Sequence, residues 1–268
     1  MQVYKYMDIG TCKPEREIVK SVPHHLIDIV EPDEQFNAGE FVREADKLIK
    51  EIIKRGNIPV LAGGTAFYFR NFIYGMPKVP KSKKKIRDSV LNKLKIHGLE
   101  KLYFDLRKID HSCACKISSH DKFRILRALE VYEQTGNPIS FYKVPNIPRE
   151  DYSFLLIGLM RPKKELHLRI EQRVNRLFEN GLVDEVKELL EKGYNINDPG
   201  MKGIGYREIL LMKDGSNSLY EVRKDIKKNS KAYAKRQMTF FNAFDNVLWY
   251  HPDSIEDIKN RINVFNNS

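Results

Sequence analysis

Arg124 and Arg127 stand three residues apart and so share a face of any helix that holds them. Two forked guanidiniums so placed could grip a phosphate. Spacing alone favours the plainer reading, a surface pair matched to acids. Gly63-Gly64-Thr65 lies between an apolar run and a helical stretch. Free N–H groups at a helix start can take an anion or a nucleotide edge, although a simple turn fits equally well. His24 and His25 are adjacent, so on a strand they would face opposite sides and make poor joint metal ligands. A packed or hydrogen-bonded role is expected for them. Asp28, just beyond, could sit at a strand end, where α/β sites lie. Cys113-Ala114-Cys115, flanked by His111 and His120, is too sparse for a zinc site, and small buried side chains are expected there. Neither Gly-x-x-x-x-Gly-Lys-Ser/Thr nor Gly-x-Gly-x-x-Gly occurs, so no phosphate-cradling signature is written in the 268 residues.

Charge points the same way as the arginines. Lys and Arg number 47 against 36 Asp and Glu, a net charge of +11. That excess favours polyanionic partners, RNA or DNA first, although scattered lysines also mark a generally basic proteome. Two stretches are denser. Lys81, Lys83, Lys84, Lys85 and Arg87 form one; Arg223, Lys224, Lys227, Lys228, Lys231, Lys235 and Arg236 form the other. No run approaches the ~20 apolar residues of a membrane helix, and no membrane role is expected. Met1 to Tyr6 has no apolar signal region. Three cysteines without framework spacing fit a reducing compartment, the cytoplasm.

The elements that must position these residues follow from periodicity. Asn37 is placed to cap a helix carrying Phe41, Val42, Ala45, Leu48, Ile49, Ile52 and Ile53 at helical spacing, stopped by Gly56. Strands are expected at Ile58–Ala62, Phe154–Leu159 and Val247–Tyr250, and Gln2-Val3-Tyr4 reads as the end of another. Helices are expected over Asp121–Gln134, around Leu166–Phe178 and Val183–Leu190, and from Leu219 to Phe244. Helix, strand, Gly-rich turn, helix is the order of an α/β sheet. From Lys78 to Glu150 helical periodicity takes over.

Seven segments, taken together and in order, resemble the tRNA dimethylallyltransferases, also called tRNA isopentenyltransferases. They are Met1 to Pro14 (with Met7-Asp8-Ile9-Gly10-Thr11), Pro23-His24-His25-Leu26-Ile27-Asp28, and Gly63-Gly64-Thr65 through Phe69. Arg124 to Val131, Gly181 to Val186, Gly203-Ile204-Gly205-Tyr206 and Ala234-Lys235-Arg236-Gln237 complete the set. The fold this resemblance implies is α/β: a P-loop-kinase-like parallel sheet flanked by helices, with a mainly helical insertion. Residues 1–80 and 150–268 would form the catalytic core with its helical C-terminal part, and residues 81–149 the insertion that contacts tRNA. The implied reaction moves a dimethylallyl group from dimethylallyl diphosphate to N6 of the adenine beside the anticodon, position 37. The implied cofactor is Mg²⁺, with no ligands assigned to it. The expected partner is the tRNA anticodon stem-loop, and the expected state is a monomer.

Carried over by position, Met1, Gln2, Thr65, Arg87, Phe123, Arg124, Ile125, Leu126 and Arg127 are the implied tRNA contacts. Phe123 replaces the family's Gln and removes an amide from that segment. The resemblance puts the family's P-loop and its proposed catalytic Asp upstream of Met1, with the first strand. The chain is therefore expected to be truncated and inactive, most simply because a start was assigned at an internal Met. A non-catalytic tRNA-binding remnant is the alternative. A relative acting on free adenine nucleotides, and a P-loop nucleotide kinase, explain fewer of the segments.

Overall fold

A computed structural model describes residues 1–212 and 218–267. In chain order they form helices α1 Arg16–Ser21, α2 Ala38–Lys54, α3 Ala66–Tyr74, α4 Lys84–Ile109, α5 His111–Ala114 and α6 Lys122–Thr135. Strand β1 Ile157–Leu159, helices α7 Lys163–Glu179, α8 Leu182–Glu191, α9 Tyr206–Leu210 and α10 Leu219–Phe241, strand β2 Leu248–Tyr250 and helix α11 Ile255–Asn266 follow. The fold is α/β, with β1 and β2 pairing in parallel, Ile157 opposite Leu248 and Leu159 opposite Tyr250. Gly158 faces Trp249 there, and a Cβ on it would come within 2.4 Å of the indole. Among the described residues no helix is long and apolar enough to cross a membrane.

Two compact units divide the chain: Met1–Phe72 with Asp151–Ser268, and Ile73–Glu150. In the first, α2 begins on a full capping box. The Asn37 side chain accepts from Gly39 and Glu40 N–H, and Glu40 reaches back to Asn37 N–H at 2.9 Å. The helix buries Ala45 and Ile49 against Phe72, with Tyr152 and Phe154 packed alongside. A larger core gathers Tyr4 and Met7 with Val174, Leu182, Val186, Met201, Tyr206 and Ile226. Tyr4 forms a single parallel bridge with Val30 where a strand end was expected.

The second unit is helical. The long helix α4 breaks at Gly98, whose φ of 74° only glycine adopts without strain. Val90 from its first arm and Leu102 and Leu106 from its second share one buried cluster with Ile125 and Leu129 of α6. Asp121 caps α6 through Arg124 N–H, and left-handed Gly136 ends it.

The expected strand at Ile58–Ala62 is not a strand. Ile58 is 59% exposed and Val60 81%, and no described strand pairs with them. An apolar run supplies side chains for a sheet but not the neighbouring ladder that satisfies its N–H and C=O groups. The other two strands are shorter than expected by three residues and by one. His24 has the hydrogen-bonded role expected of it, whereas the expectation of buried side chains at Cys113-Ala114-Cys115 holds only in part. His24 and His25 lie in an irregular, exposed segment, with His24 Nδ1 2.7 Å from Val22 O. Cys113 is half-buried and Cys115 exposed, its Sγ 3.3 Å from His111 Nε2, while Ala114 fills the core. Successive residues of a helix cannot all face inward.

Candidate functional site

In the first unit the segment carrying Met1 and Gln2 is tied into a closed loop. Gln2 Nε2 donates to Thr11 O at 3.2 Å and to Cys12 O at 2.8 Å. Thr11 Oγ1 donates to Met7 O at 2.5 Å. The mostly buried Lys13 ammonium holds Tyr4 O at 2.8 Å, Asp8 at 2.7 Å and also Asp28. Tyr6, Cys12, Leu26 and Asp28 all have positive φ, conformations that non-glycine residues keep only when their surroundings impose them.

A carboxylate from α8 closes the far side of this loop. Glu185 accepts from the N–H groups of Asp8 (2.7 Å), Ile9 (2.6 Å) and Gly10 (3.0 Å), and from the Tyr206 hydroxyl (2.5 Å). Burial, and then the hydrogen bond to Glu185, push the Tyr206 pKa far above that of an ordinary phenol. Its hydroxyl therefore stays a donor. Sequence reasoning included Glu185 within a segment but gave it no role, because a glutamate early in an amphipathic helix reads as solvated.

Thr65 is exposed at the start of α3 and does open a helix. The turn before it is held by α10: Gln237 Nε2 donates to Gly64 O at 2.8 Å and the Tyr233 hydroxyl approaches at 3.3 Å. A Cβ on Gly64 would fall 1.9 Å from Gln237 Nε2, so any larger residue there would make the Gln237 side chain shift. Val222 and Ile226 turn inward along α10. Lys224 pairs with Glu221 and Lys231 with Glu171, whereas Lys228, Lys235 and Arg236 are exposed.

In the second unit Phe123 is 83% exposed and Arg124 is exposed beside it, paired with Asp121 at 3.3 Å. Ile125 and Leu126 point into the helical core. Arg127 differs from Arg124. Its guanidinium donates to Pro80 O at 2.8 Å and to Ser82 Oγ, and lies 3.8 Å from Glu130. Glu130 is only 5% exposed and accepts from Ser82 Oγ at 2.5 Å, with Arg87 3.6 Å away. Burial lowers the Arg127 pKa; Glu130 opposes that shift and Arg87 adds to it. Arg87, Glu130 and Arg127 thus form one network, and Lys81, Lys83, Lys84 and Lys85 lie exposed near its rim in sequence. Met1, Gln2 and Thr65 belong to one unit, and Arg87 and Phe123 to Arg127 to the other.

Among the described residues no three of His, Cys, Asp and Glu stand together as metal ligands.

The sequence matches the family model described as IPP transferase over residues 2–244. It is 44% identical over 266 residues to the tRNA dimethylallyltransferase of Borrelia turicatae (strain 91E135), covering 98% of this chain and 88% of that one. The enzyme of the same description from Thermoanaerobacter sp. (strain X514) is 42% identical over 269 residues, covering 98% and 85%. Among solved structures, the tRNA delta(2)-isopentenylpyrophosphate transferase of Staphylococcus epidermidis superposes with a TM-score of 0.67 at 34% identity, covering 98% of this chain and 88% of that chain. A eukaryotic dimethylallyltransferase acting on tRNA gives a TM-score of 0.77 at 26% identity, covering 95% and 66%.

Proposed function

The chain belongs to the IPP transferase family, alongside tRNA dimethylallyltransferases, and we propose that it serves transfer of a dimethylallyl group from dimethylallyl diphosphate to N6 of adenine 37. The observation that carries this reading is that segments singled out separately by the resemblance meet across long sequence separations. Asp8-Ile9-Gly10 is held by Glu185 and Tyr206, and Gly64 by Gln237. Chance likeness of scattered motifs would not make them hydrogen-bond partners.

The reaction sets clear demands. The adenine must leave its stack to reach a transferase site. Its N6 lone pair forms the bond to prenyl C1 while the C1–O bond breaks, and the diphosphate departs with that electron pair. The N6 proton passes to a base. On this reading Met1, Gln2 and Thr65 contact the target loop, and Phe123 and Arg124 contact the anticodon stem. The lysine-rich stretches hold its phosphates in a salt-dependent way. Arg87 and Arg127 act mainly through the Glu130 network. Ile125 and Leu126 shape the helix that presents their neighbours. Mg²⁺, when bound with the substrate, would neutralise the leaving diphosphate. The protein works as a monomer in the cytoplasm, where tRNA is found.

No residue of the 268 is assigned as the base or as the diphosphate cradle. Electrostatic stabilisation of this kind is usually the largest catalytic term, a single donor contributing about 2.7–4 kcal/mol. The basic residues assigned above are expected to bind tRNA with an affinity that falls as salt rises. The test is retention of unmodified tRNA by this polypeptide and by its Arg124→Ala variant, with incorporation of labelled prenyl group followed in the same samples. Absence of tRNA binding by both would overturn the transferase reading.

A further inference from the structure

Glu185 takes four hydrogen bonds on one carboxylate: Oε2 receives Asp8 and Ile9 N–H, and Oε1 receives Gly10 N–H and the Tyr206 hydroxyl. It is 8% exposed, and among the described residues no Lys, Arg or His forms an ion pair with it. Three successive backbone dipoles aimed at one anion form a nest, and here the nest neutralises a charge that would otherwise be costly to bury. The carboxylate thereby sets the path of residues 8–10.

That path carries further. The next two carbonyls, Thr11 O and Cys12 O, both receive Gln2 Nε2. Two acceptors on the same atom fix which end of the Gln2 amide is nitrogen, and hence which end is oxygen. The loop is bracketed by left-handed Tyr6 (φ 63°) and Cys12 (φ 50°), so it does not hold its shape by local preference. Gly10 lies against the Tyr206 ring, where a Cβ would come within 2.5 Å. A carboxylate serving only to join α8 to the core would not need to capture three consecutive amides of a strained loop. Resting on the transferase reading, we propose that Glu185 is a positioning residue. Its grip on residues 8–10 orients the Gln2 amide, and with it the surface that distinguishes the target adenine.

The probe is Glu185→Gln. The amide keeps the shape of the carboxylate but turns one end into a donor. That donor must face either the Asp8 and Ile9 N–H pair or Gly10 N–H and the Tyr206 hydroxyl. Tyr206→Phe removes one bond of the four and leaves the backbone grip. Gln2→Met removes the amide at the other end of the path.

Affinity is measured for two unmodified anticodon stem-loops, one with adenine at the target position and one with guanine there. Deuterium exchange at residues 8–10 is followed in the same proteins. The wild-type chain is expected to prefer the adenine loop, and Glu185→Gln and Gln2→Met are each expected to reduce that preference about fivefold or more. Their affinity for the guanine loop should stay unchanged. The double variant should lose no more than either single one, and Tyr206→Phe should keep the preference. Exchange at residues 8–10 should quicken in Glu185→Gln while α8 stays protected. A preference retained in Glu185→Gln or in Gln2→Met overturns the proposal, as does loss of protection throughout the chain, which would mark a folding role. A wild-type chain that binds neither RNA overturns the transferase reading instead, and the exchange measurement still reports whether the loop depends on Glu185.

Discussion

Arg124 and Arg127 share a helix face and a residue type, yet substituting them should have different consequences. Arg127→Ala removes a charged hydrogen bond to Pro80 O at 2.8 Å and another to Ser82. It also takes one of two cations from Glu130, which is 5% exposed. Charged hydrogen bonds contribute about 1.5–3 kcal/mol each, and stripping a buried carboxylate of its partner costs about 3–5 kcal/mol. Arg87 remains at 3.6 Å and the Arg127 side chain is 35% exposed, so both figures must be discounted. A loss of about 2–4 kcal/mol for the Ile73–Glu150 unit follows. Arg124→Ala should cost about 0.5 kcal/mol, since its ion pair with Asp121 is 69% exposed on the arginine side. The Asp121 cap survives because it accepts from the Arg124 backbone N–H. Urea unfolding combined with amide exchange in α4 and α6 reads these costs separately for this unit. In a cycle with Glu130→Gln, Arg127→Ala should couple by more than about 1 kcal/mol, and Arg124→Ala should be additive. Equal costs for the two alanine variants, or additivity of Arg127→Ala with Glu130→Gln, would refute the reasoning. Arg124→Ala is then the clean probe of RNA contact: affinity for tRNA should fall by about 1–3 kcal/mol with stability intact.

Gly64→Ala should displace Gln237 and lose the bond to Gly64 O, costing about 1 kcal/mol in thermal unfolding; Gln237→Ala should make that second loss small. Asn37→Ala should destabilise α2 by about 1 kcal/mol without changing tRNA affinity, because both halves of its capping box are intact and serve only the helix. Burial, with Tyr4 and Glu40 adding to it, pushes the Tyr68 phenol up to about 12 from its ordinary 10.0. A raised phenol pKa contributes stability that is fully present below pH 10 and lost as pH rises through about 12. Tyr68→Phe should therefore show a shallower alkaline loss of stability over that window by circular dichroism, and an unchanged slope would contradict the burial argument.

What the sequence reveals and what it hides divide along the range of the interactions. Asn37 caps α2 as expected, and the helix expected over Asp121–Gln134 is found at Lys122–Thr135, because a cap and a helical period are both written locally. Ile58–Ala62 fails because a strand is defined by its neighbour, which no local pattern specifies. Arg127 looks like Arg124 until Pro80 and Ser82 arrive from 47 and 45 residues away. Glu185 is further still from its partners, 175 to 177 residues along the chain. The resemblance picks out both ends of that contact without indicating that they touch. The contact gives the pairing a physical reason: a loop with left-handed Tyr6 and Cys12 cannot keep its shape alone, and the carboxylate that fixes it must come from a different element. If the Gln2 amide reads the target base, the constraint on Glu185 is chemical rather than hydrophobic. Only an anion with two acceptor oxygens satisfies three amides and a phenol at once, so neither glutamine nor any apolar residue of the same volume can replace it.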